Sequence, residues 1–337
     1  MSNTFFATLI PGAEELAAAI LRQRLPDLAL QGSFSGALVF STAVPYSDLN
    51  LFCFHNIFRV LFRASAPPSP AGLEKFLRAL PAASIDWPPK RRGKARTFRL
   101  VVSCKNQLVS VSKAAKTGAE KLIAARTGLR LDRSLPDQEF WALVRDNGQA
   151  WFLQRLSRHR AYDKVLHPGE LHPELAYMMC WLTAPKPTDV VADPFCGYGA
   201  IPLQRCKRFP FARMYASDNA PAPLAVTREK LGNRPHVDIA ERDALTLSRT
   251  LPEALDAVIT DPPWGLYEQV GMELGEFYRL LLQELARALK PGGRVVVLTA
   301  AKDELLSAAE AVPQLTLNAR YNLLVSGKKA GLFLLNR

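Results

Sequence analysis

Residues Asp189–Gly199 read DVVADPFCGYG, and Ala257–Gly265 read AVITDPPWG. Each stretch begins as a short apolar run, the signature of a strand buried on both faces. Each run ends at an acidic residue, Asp193 or Asp261, and opens into a turn rich in Gly or Pro. Open α/β sheets place their ligands outside the carboxyl ends of such strands. Gly197-Tyr198-Gly199 permits a tight strand-to-helix turn and a close approach of ligand to backbone. Pro202 falls in the first helical turn, where a missing N–H does no harm.

Outward from these two stretches the pattern is one of alternation. Strands are predicted at Val190–Asp193, Met214–Asp218, Val237–Glu241, Ala257–Asp261 and Arg294–Thr299, with helices between them, Phe277–Leu289 the clearest. Alternation of this kind predicts a parallel sheet covered by helices on both faces. Tyr321–Ser326 and Leu332–Leu335, separated only by residues 327–331, read as an antiparallel hairpin. The expected class is α/β: a Rossmann-like domain with a seven-stranded sheet, parallel except for that hairpin, preceded by two α+β units. The first unit spans residues 1–66. Within it, residues 48–62 read as helix followed by strand. The second unit spans 67–157, after the Pro-rich boundary at Ala64–Gly72. Residues 158–173 form a polar linker, and 174–337 the Rossmann-like domain.

The acidic residues narrow the ligand. A full G-x-G-x-x-G is absent, since residues 200–202 are Ala-Ile-Pro. Asp193 stands just before the turn, where it meets a cationic amino-acid group and not a pyrophosphate. Asp218 ends the second strand, placed to accept from both ribose hydroxyls, as the acidic residue of nucleotide folds does. Asp243 ends the third strand, placed to accept from an adenine amino group. A single Asp at a strand end commonly caps the next turn. Four at successive strand ends fit S-adenosylmethionine.

The second stretch suits an amine acceptor. An exocyclic ring amine is a weak nucleophile because its lone pair is delocalised into the ring. The Asp261 carboxylate and the Pro262 carbonyl can accept from its N–H groups and aim that pair at a methyl group. Pro262 and Pro263 stiffen the turn, and Trp264 can stack on the base. Positioning and local electrostatics would supply most of the rate, and the base must be unpaired or flipped out. Adenine N6 and guanine N2 are both compatible with such a loop.

Charge identifies the substrate handle. The chain of 337 residues carries a net charge of +12. Residues 1–165 hold 24 Lys and Arg against 12 Asp and Glu, and residues 166–337 hold 19 against 19. The whole excess lies in residues 59–165, at 22 against 8. A neutral catalytic half beside a basic segment indicates a polyanion-binding module. Its candidate phosphate contacts are Lys90, Arg91, Arg92, Lys94, Arg96, Lys113, Lys116, Arg155, Arg158, Arg160 and Lys164, a set that would grip structured RNA by shape and backbone. The five cysteines form no C-x-x-C pair and the five histidines are scattered, so no metal is expected. No apolar run approaches the ~18 residues of a membrane span, and no signal peptide is read at the N-terminus, so a cytoplasmic location is expected, as a monomer or simple homodimer.

DPFCGYG resembles motif I of class I methyltransferases, in the D-P-F-C-G-S-G-T form of RNA guanine-N2 methyltransferases. DPPWG resembles their motif IV, [DNS]-P-P-[YFW], and motif I comes first. HPGELHPELAYMM, His167–Met179, resembles the segment that precedes motif I in these enzymes. The basic middle region resembles a THUMP domain behind a ferredoxin-like unit. The resemblance is specific at the two motifs and loose over the first 160 residues. It implies S-adenosylmethionine as cofactor, held by Asp193, Pro194, Phe195, Cys196, Gly197, Gly199, Asp218, Asn219, Asp243, Ala244 and Asp261, with Asp261, Pro262, Pro263 and Trp264 at the target amine. It implies guanine N2 as the target and tRNA as the substrate, with ribosomal RNA or adenine N6 as alternatives and a non-catalytic RNA-binding role as the remaining one. Tyr198 and Ala200 depart from the family's Ser and Thr. The ring is tolerable if it points outward, and Ala200 removes one hydroxyl that could touch the methionine carboxylate.

Overall fold

The computed structural model describes residues 3–88, 96–157, 166–266 and 271–337. In the N-terminal half the elements are β1 (Asn3–Thr8), α1 (Glu14–Arg24), β2 (Ala29–Phe34), β3 (Ala37–Thr42), β4 (Asn56–Ser65), α2 (Pro70–Arg78), β5 (Thr97–Cys104), β6 (Gln107–Leu108), α3 (Lys113–Thr127), β7 (Arg130–Leu131), β8 (Gln138–Val144) and β9 (Gln149–Arg155). Among the described residues they form one nine-stranded sheet, ordered β2-β3-β1-β4-β9-β8-β5-β6, with β7 on β5. The two α+β units read from the sequence therefore share a sheet, joined where β4 pairs antiparallel with β9. Residues 48–62 depart from the helix-then-strand expectation. Only a single turn forms at Tyr46–Asp48, and β4 begins at Asn56. Leu51, Cys53 and Phe54 between them are buried without regular structure, because the aromatic-rich run fills a core and does not follow a helical stripe.

The second half comprises α4 (Pro173–Leu182), β10 (Val190–Asp193), α5 (Ala200–Arg208), β11 (Arg213–Asp218), α6 (Pro221–Leu231), β12 (Val237–Glu241), α7 (Leu247–Thr250), β13 (Leu255–Thr260), α8 (Leu274–Ala288), β14 (Leu289–Thr299), α9 (Lys302–Glu310), β15 (Thr316–Val325) and β16 (Lys328–Asn336). Among the described residues these strands form one seven-stranded sheet, β12-β11-β10-β13-β14-β16-β15. All neighbouring pairs are parallel except those of β16, which runs antiparallel to both β14 and β15. Side chains alternate across a strand, so each strand feeds two cores. Val191, Ile259, Val296 and Leu298 pack with α4 and α5. Ala192, Val258, Val295 and Val297 pack with α8 and α9. Each fully buried Val, Leu or Ile here contributes about 1.5–3 kcal/mol of hydrophobic stabilisation.

One core runs from the N-terminal sheet into the catalytic half, joining α1 to α4 and to the β15–β16 hairpin. The Leu324 N–H donates to the Pro11 carbonyl at 2.9 Å, and the Arg208 guanidinium lies 3.5 Å over the Phe52 ring. Gly12, at φ +93°, has no room for a side chain, because a Cβ would stand 1.9 Å from the Asn322 carbonyl oxygen. α4 leads into β10 through the short connection 183–189. The segment before α4 thus lies at the carboxyl end of the sheet, where the His167 ring meets Tyr198.

Candidate active site

Asp193 ends β10 and is fully buried. Its Oδ1 accepts from the Thr260 hydroxyl at 3.1 Å and from the Phe195 N–H at 3.3 Å. Its Oδ2 is buried with no hydrogen-bond partner among the described residues. Burial pushes its carboxyl well above the ordinary value, and the neighbouring Asp218 and Asp261 carboxylates push the same way, against the two hydrogen bonds. A buried carboxylate with an orphaned oxygen calls for a cationic hydrogen-bond donor. The α-amino group of S-adenosylmethionine is such a donor.

The turn after Asp193 is fixed from behind. The Gly197 N–H donates to Asp218 Oδ2 at 2.8 Å, and the Cys196 N–H to the Ser217 carbonyl at 2.9 Å. From α6 the Thr227 hydroxyl donates to the Gly197 carbonyl at 2.7 Å, and Lys230 Nζ to the Tyr198 carbonyl at 3.1 Å. Gly199, at φ +81°, packs against Thr227 so closely that a Cβ would meet its Oγ1 at 2.8 Å. A Cβ on Gly197 would enter open space, with nothing within 4 Å. The loop is therefore braced on its α6 side and open on the side where a ligand would lie. Tyr198 stacks on His167, with ring centroids 4.3 Å apart and planes 8° from parallel. Ala200 begins α5 and is buried, as are Pro194 and Cys196; Phe195 is half-buried against Phe277.

Asp218 accepts from Gly197 N–H at Oδ2 and from Ala220 N–H at Oδ1. A carboxylate oxygen has two lone pairs, so a ribose contact remains compatible with both bonds. Asn219 next to it is exposed. Asp243 differs from its expected position. β12 stops at Glu241, and Asp243 caps the short turn Ala244–Thr246, its Oδ1 accepting from the Leu245 N–H at 2.9 Å. Asp243 is exposed and Ala244 is buried.

The second loop leaves β13, which lies directly beside β10 in the sheet. Asp261 Oδ1 accepts from the Trp264 indole N–H at 2.8 Å, tying carboxylate and ring into one unit. Tyr278, buried in α8, donates its hydroxyl hydrogen to the Pro263 carbonyl at 2.8 Å and lies 2.6 Å from Thr299 Oγ1. Thr299 in turn accepts from the Ala301 N–H. Among the described residues no hydrogen bond ends on the Pro262 carbonyl, so the loop is stiffened through Pro263.

Several of these positions carry no motif. Thr260, Tyr278, Thr299, Thr227 and Lys230 sit on ordinary strands and helices. Tyr278 in particular belongs to the apolar stripe of α8, where its hydroxyl is invisible to periodicity.

In the basic half, Arg96 and Lys113 are exposed, and Lys116 is half-buried. Arg155 does not serve as a phosphate contact. Its side chain is 3% exposed and bonds Glu139 at 3.0 Å, and Arg99 bonds the other Glu139 oxygen. The three residues brace β5, β8 and β9. Burial opposes ionisation of Glu139, but hydrogen bonds from Trp141 and Arg155 and the charges of both arginines hold its carboxyl below the ordinary value. Lys90, Arg91, Arg92, Lys94, Arg158, Arg160 and Lys164 lie outside the described residues. A surface hollow of about 500 Å³, lined by Thr97, Arg130, Leu131, Asp132 and Arg133, adjoins Arg96, whose carbonyl accepts from the Arg130 N–H at 2.9 Å. Arg130 and Arg133 were not among the residues singled out in the sequence. Among the described residues no cluster of His, Cys, Asp and Glu could hold a metal, and no helix is long and apolar enough to cross a membrane.

The family model for the RMKL-like UPF0020 methyltransferase domain matches residues 160–327. A crystal structure of TrmN from Thermus thermophilus superposes over 99% of both chains with a TM-score of 0.79 at 26% identity. The chain belongs to the THUMP-containing guanine-N2 methyltransferase family. This is a class I family that binds S-adenosylmethionine. A tRNA (guanine(6)-N2)-methyltransferase of Thermus thermophilus is 28% identical over 309 residues, 87% of this chain and 88% of that one. The tRNA (guanine(6)-N(2))-methyltransferase THUMP3 of Bos taurus is 34% identical over 161 residues, which span 42% of this chain and 31% of that protein. The family's fold thus runs through the basic half, where the sequence likeness is looser.

Proposed function

We propose that this chain transfers a methyl group from S-adenosylmethionine to the exocyclic N2 amine of a guanosine in tRNA. The adjacency of β10 and β13 carries this reading, because it sets the orphaned oxygen of Asp193 and the Asp261–Trp264 loop side by side. The cofactor, when bound, supplies a methyl group activated by a sulfonium. Asp193 receives its amino group, Pro194–Gly199 line its amino-acid end, and Asp218 with Asn219 accepts from the ribose. Ala244 would border the adenine, and Asp243 would accept from its amino group while capping its own turn.

Asp261 and the Pro262 carbonyl accept from the target amine and turn its lone pair toward the methyl group. Pro263 is held by Tyr278, so the carbonyl before it keeps its direction. Trp264, fixed by Asp261, offers its ring to the base. The basic half grips the RNA backbone through Arg96, Lys113 and Lys116, joined by Arg130 and Arg133 at the neighbouring hollow. The relatives described as tRNA methyltransferases support the choice of guanine and of tRNA. The reading places the enzyme in the cytoplasm as a monomer or simple homodimer.

The test is transfer of radiolabelled methyl to unmodified tRNA, ribosomal RNA and DNA by the purified full chain. Label in tRNA that disappears with Asp261→Ala is the expected outcome. Label confined to ribosomal RNA or DNA, or label unaffected by that substitution, overturns the reading.

A further inference from the structure

Lys230 has no role in the chemistry above, yet its ammonium group holds two segments together. It donates to the Tyr198 carbonyl at 3.1 Å and ion-pairs with Glu170, whose side chain is 7% exposed. Glu170 Oε2 also accepts from the His167 N–H at 3.1 Å, and the His167 ring stacks on Tyr198. A closed circuit results: Lys230 to the Tyr198 carbonyl, Tyr198 ring to His167 ring, His167 N–H to Glu170, and Glu170 back to Lys230. Thr227, one turn earlier on α6, takes the Gly197 carbonyl. Two successive carbonyls of the cofactor loop are thus drawn toward α6. A peptide plane whose oxygen points one way directs its N–H the other way, so capture of the Gly197 carbonyl turns the Tyr198 N–H to the opposite side of the loop.

We propose that Lys230 is a positioning residue for cofactor binding, which clasps the segment His167–Glu170 to the loop Gly197–Tyr198 and sets the direction of the loop's peptide groups. This rests on the reading of the loop as the S-adenosylmethionine site. It also assigns Tyr198 a function: the ring that replaces the family's Ser closes the clasp on His167. The ion pair compensates the charge of the nearly buried Glu170. The donation to the Tyr198 carbonyl is the part that acts on the loop.

The experiment measures binding of S-adenosylhomocysteine to the full chain by calorimetry, beside KM and kcat for methyl transfer. Lys230→Met should weaken S-adenosylhomocysteine binding about tenfold, the scale of a lost charged hydrogen bond, and raise KM for the cofactor by a like factor. The kcat and the KM for RNA should move less than twofold. Lys230→Arg, which keeps both a charge and a donor, should restore most of the affinity. The exchange Glu170→Lys with Lys230→Glu restores an ion pair but places no donor on the Tyr198 carbonyl, so it should bind as weakly as Lys230→Met. Full affinity in that exchange, or unchanged binding in a folded Lys230→Met protein, overturns the proposal. Because S-adenosylhomocysteine binding needs no RNA, an error in the RNA substrate would leave this outcome readable.

Discussion

The two sheets of this molecule treat charge in opposite ways. In the seven-stranded sheet the acidic residues stand at strand ends, where backbone and buried hydroxyls hold them in place, as Thr260 holds Asp193 and Gly197 holds Asp218. In the nine-stranded sheet Arg96 and Lys113 are exposed at element ends, and a firmly held arginine, Arg155, is taken up in bracing three strands. Chemistry needs groups fixed to a fraction of an ångström, whereas a grip on phosphates needs charge over an area. Substitutions in the first sheet should therefore act singly and steeply, and those in the second weakly and additively.

Asp193 should show the largest effect. Asp193→Ala is expected to weaken S-adenosylhomocysteine binding by at least about a hundredfold, the scale of an unpaired charge in a buried site; calorimetry measures it. Stability should move the other way with Asp193→Asn. The folded pKa of Asp193 is raised above its unfolded value, so its ionisation destabilises the ligand-free protein at neutral pH. Stability from this group is present below the unfolded value near 3.8 and lost as pH rises through the folded pKa. Asp193→Asn should therefore raise the Tm of the ligand-free protein at pH 7, by roughly 2–4 °C for each 1 kcal/mol removed. Binding of S-adenosylhomocysteine should favour the ionised form of Asp193 and so release protons at pH values where the ligand-free group is protonated, visible as a dependence of the binding heat on buffer ionisation enthalpy. A Tm that falls, or no proton release, would break the first half of the comparison.

Asp261→Asn should lower kcat by roughly 10²–10³-fold, as loss of one preorganised electrostatic contact does, while S-adenosylhomocysteine affinity changes little. Single-turnover methyl transfer separates the two. Tyr278→Phe removes only the hydroxyl that holds Pro263 and should lower kcat about tenfold, with a stability cost of about 1 kcal/mol read by denaturant unfolding. The smallest effects belong to the basic half. Lys113→Ala and Arg96→Ala should each weaken RNA binding a few-fold and lower the salt slope by about 1, the two losses adding, as measured by fluorescence anisotropy from low to high salt. A single substitution there that abolishes binding would contradict the division between the two sheets.

The same contrast explains what was legible in the sequence. Strand ends followed by Gly or Pro turns leave a local signature, so β10, β11 and β13 and their acids Asp193, Asp218 and Asp261 could be read directly. Asp243 was legible as a residue but not in position, because strand length cannot tell a terminal carboxylate from the cap of the following turn. The union of two α+β units through β4 and β9 was not legible, since it joins residues nearly a hundred apart in the chain. Tyr278 and Lys230 act through a hydroxyl and an ammonium group at the tips of helical side chains, and no spacing rule marks which tip meets a loop carbonyl. Arg155 was misread because composition counts a buried arginine and a surface one alike.

In the proposed reaction Asp261 presents a guanine amine to a methyl group held beside Asp193. The most direct measurement is mass spectrometry of nucleosides digested from an unmodified tRNA pool after incubation with the chain and isotopically labelled S-adenosylmethionine. Labelled N2-methylguanosine, absent with Asp261→Ala and with Asp193→Ala, is the predicted result. Label on adenosine, or no labelled nucleoside from a chain that binds S-adenosylhomocysteine and RNA, would contradict it.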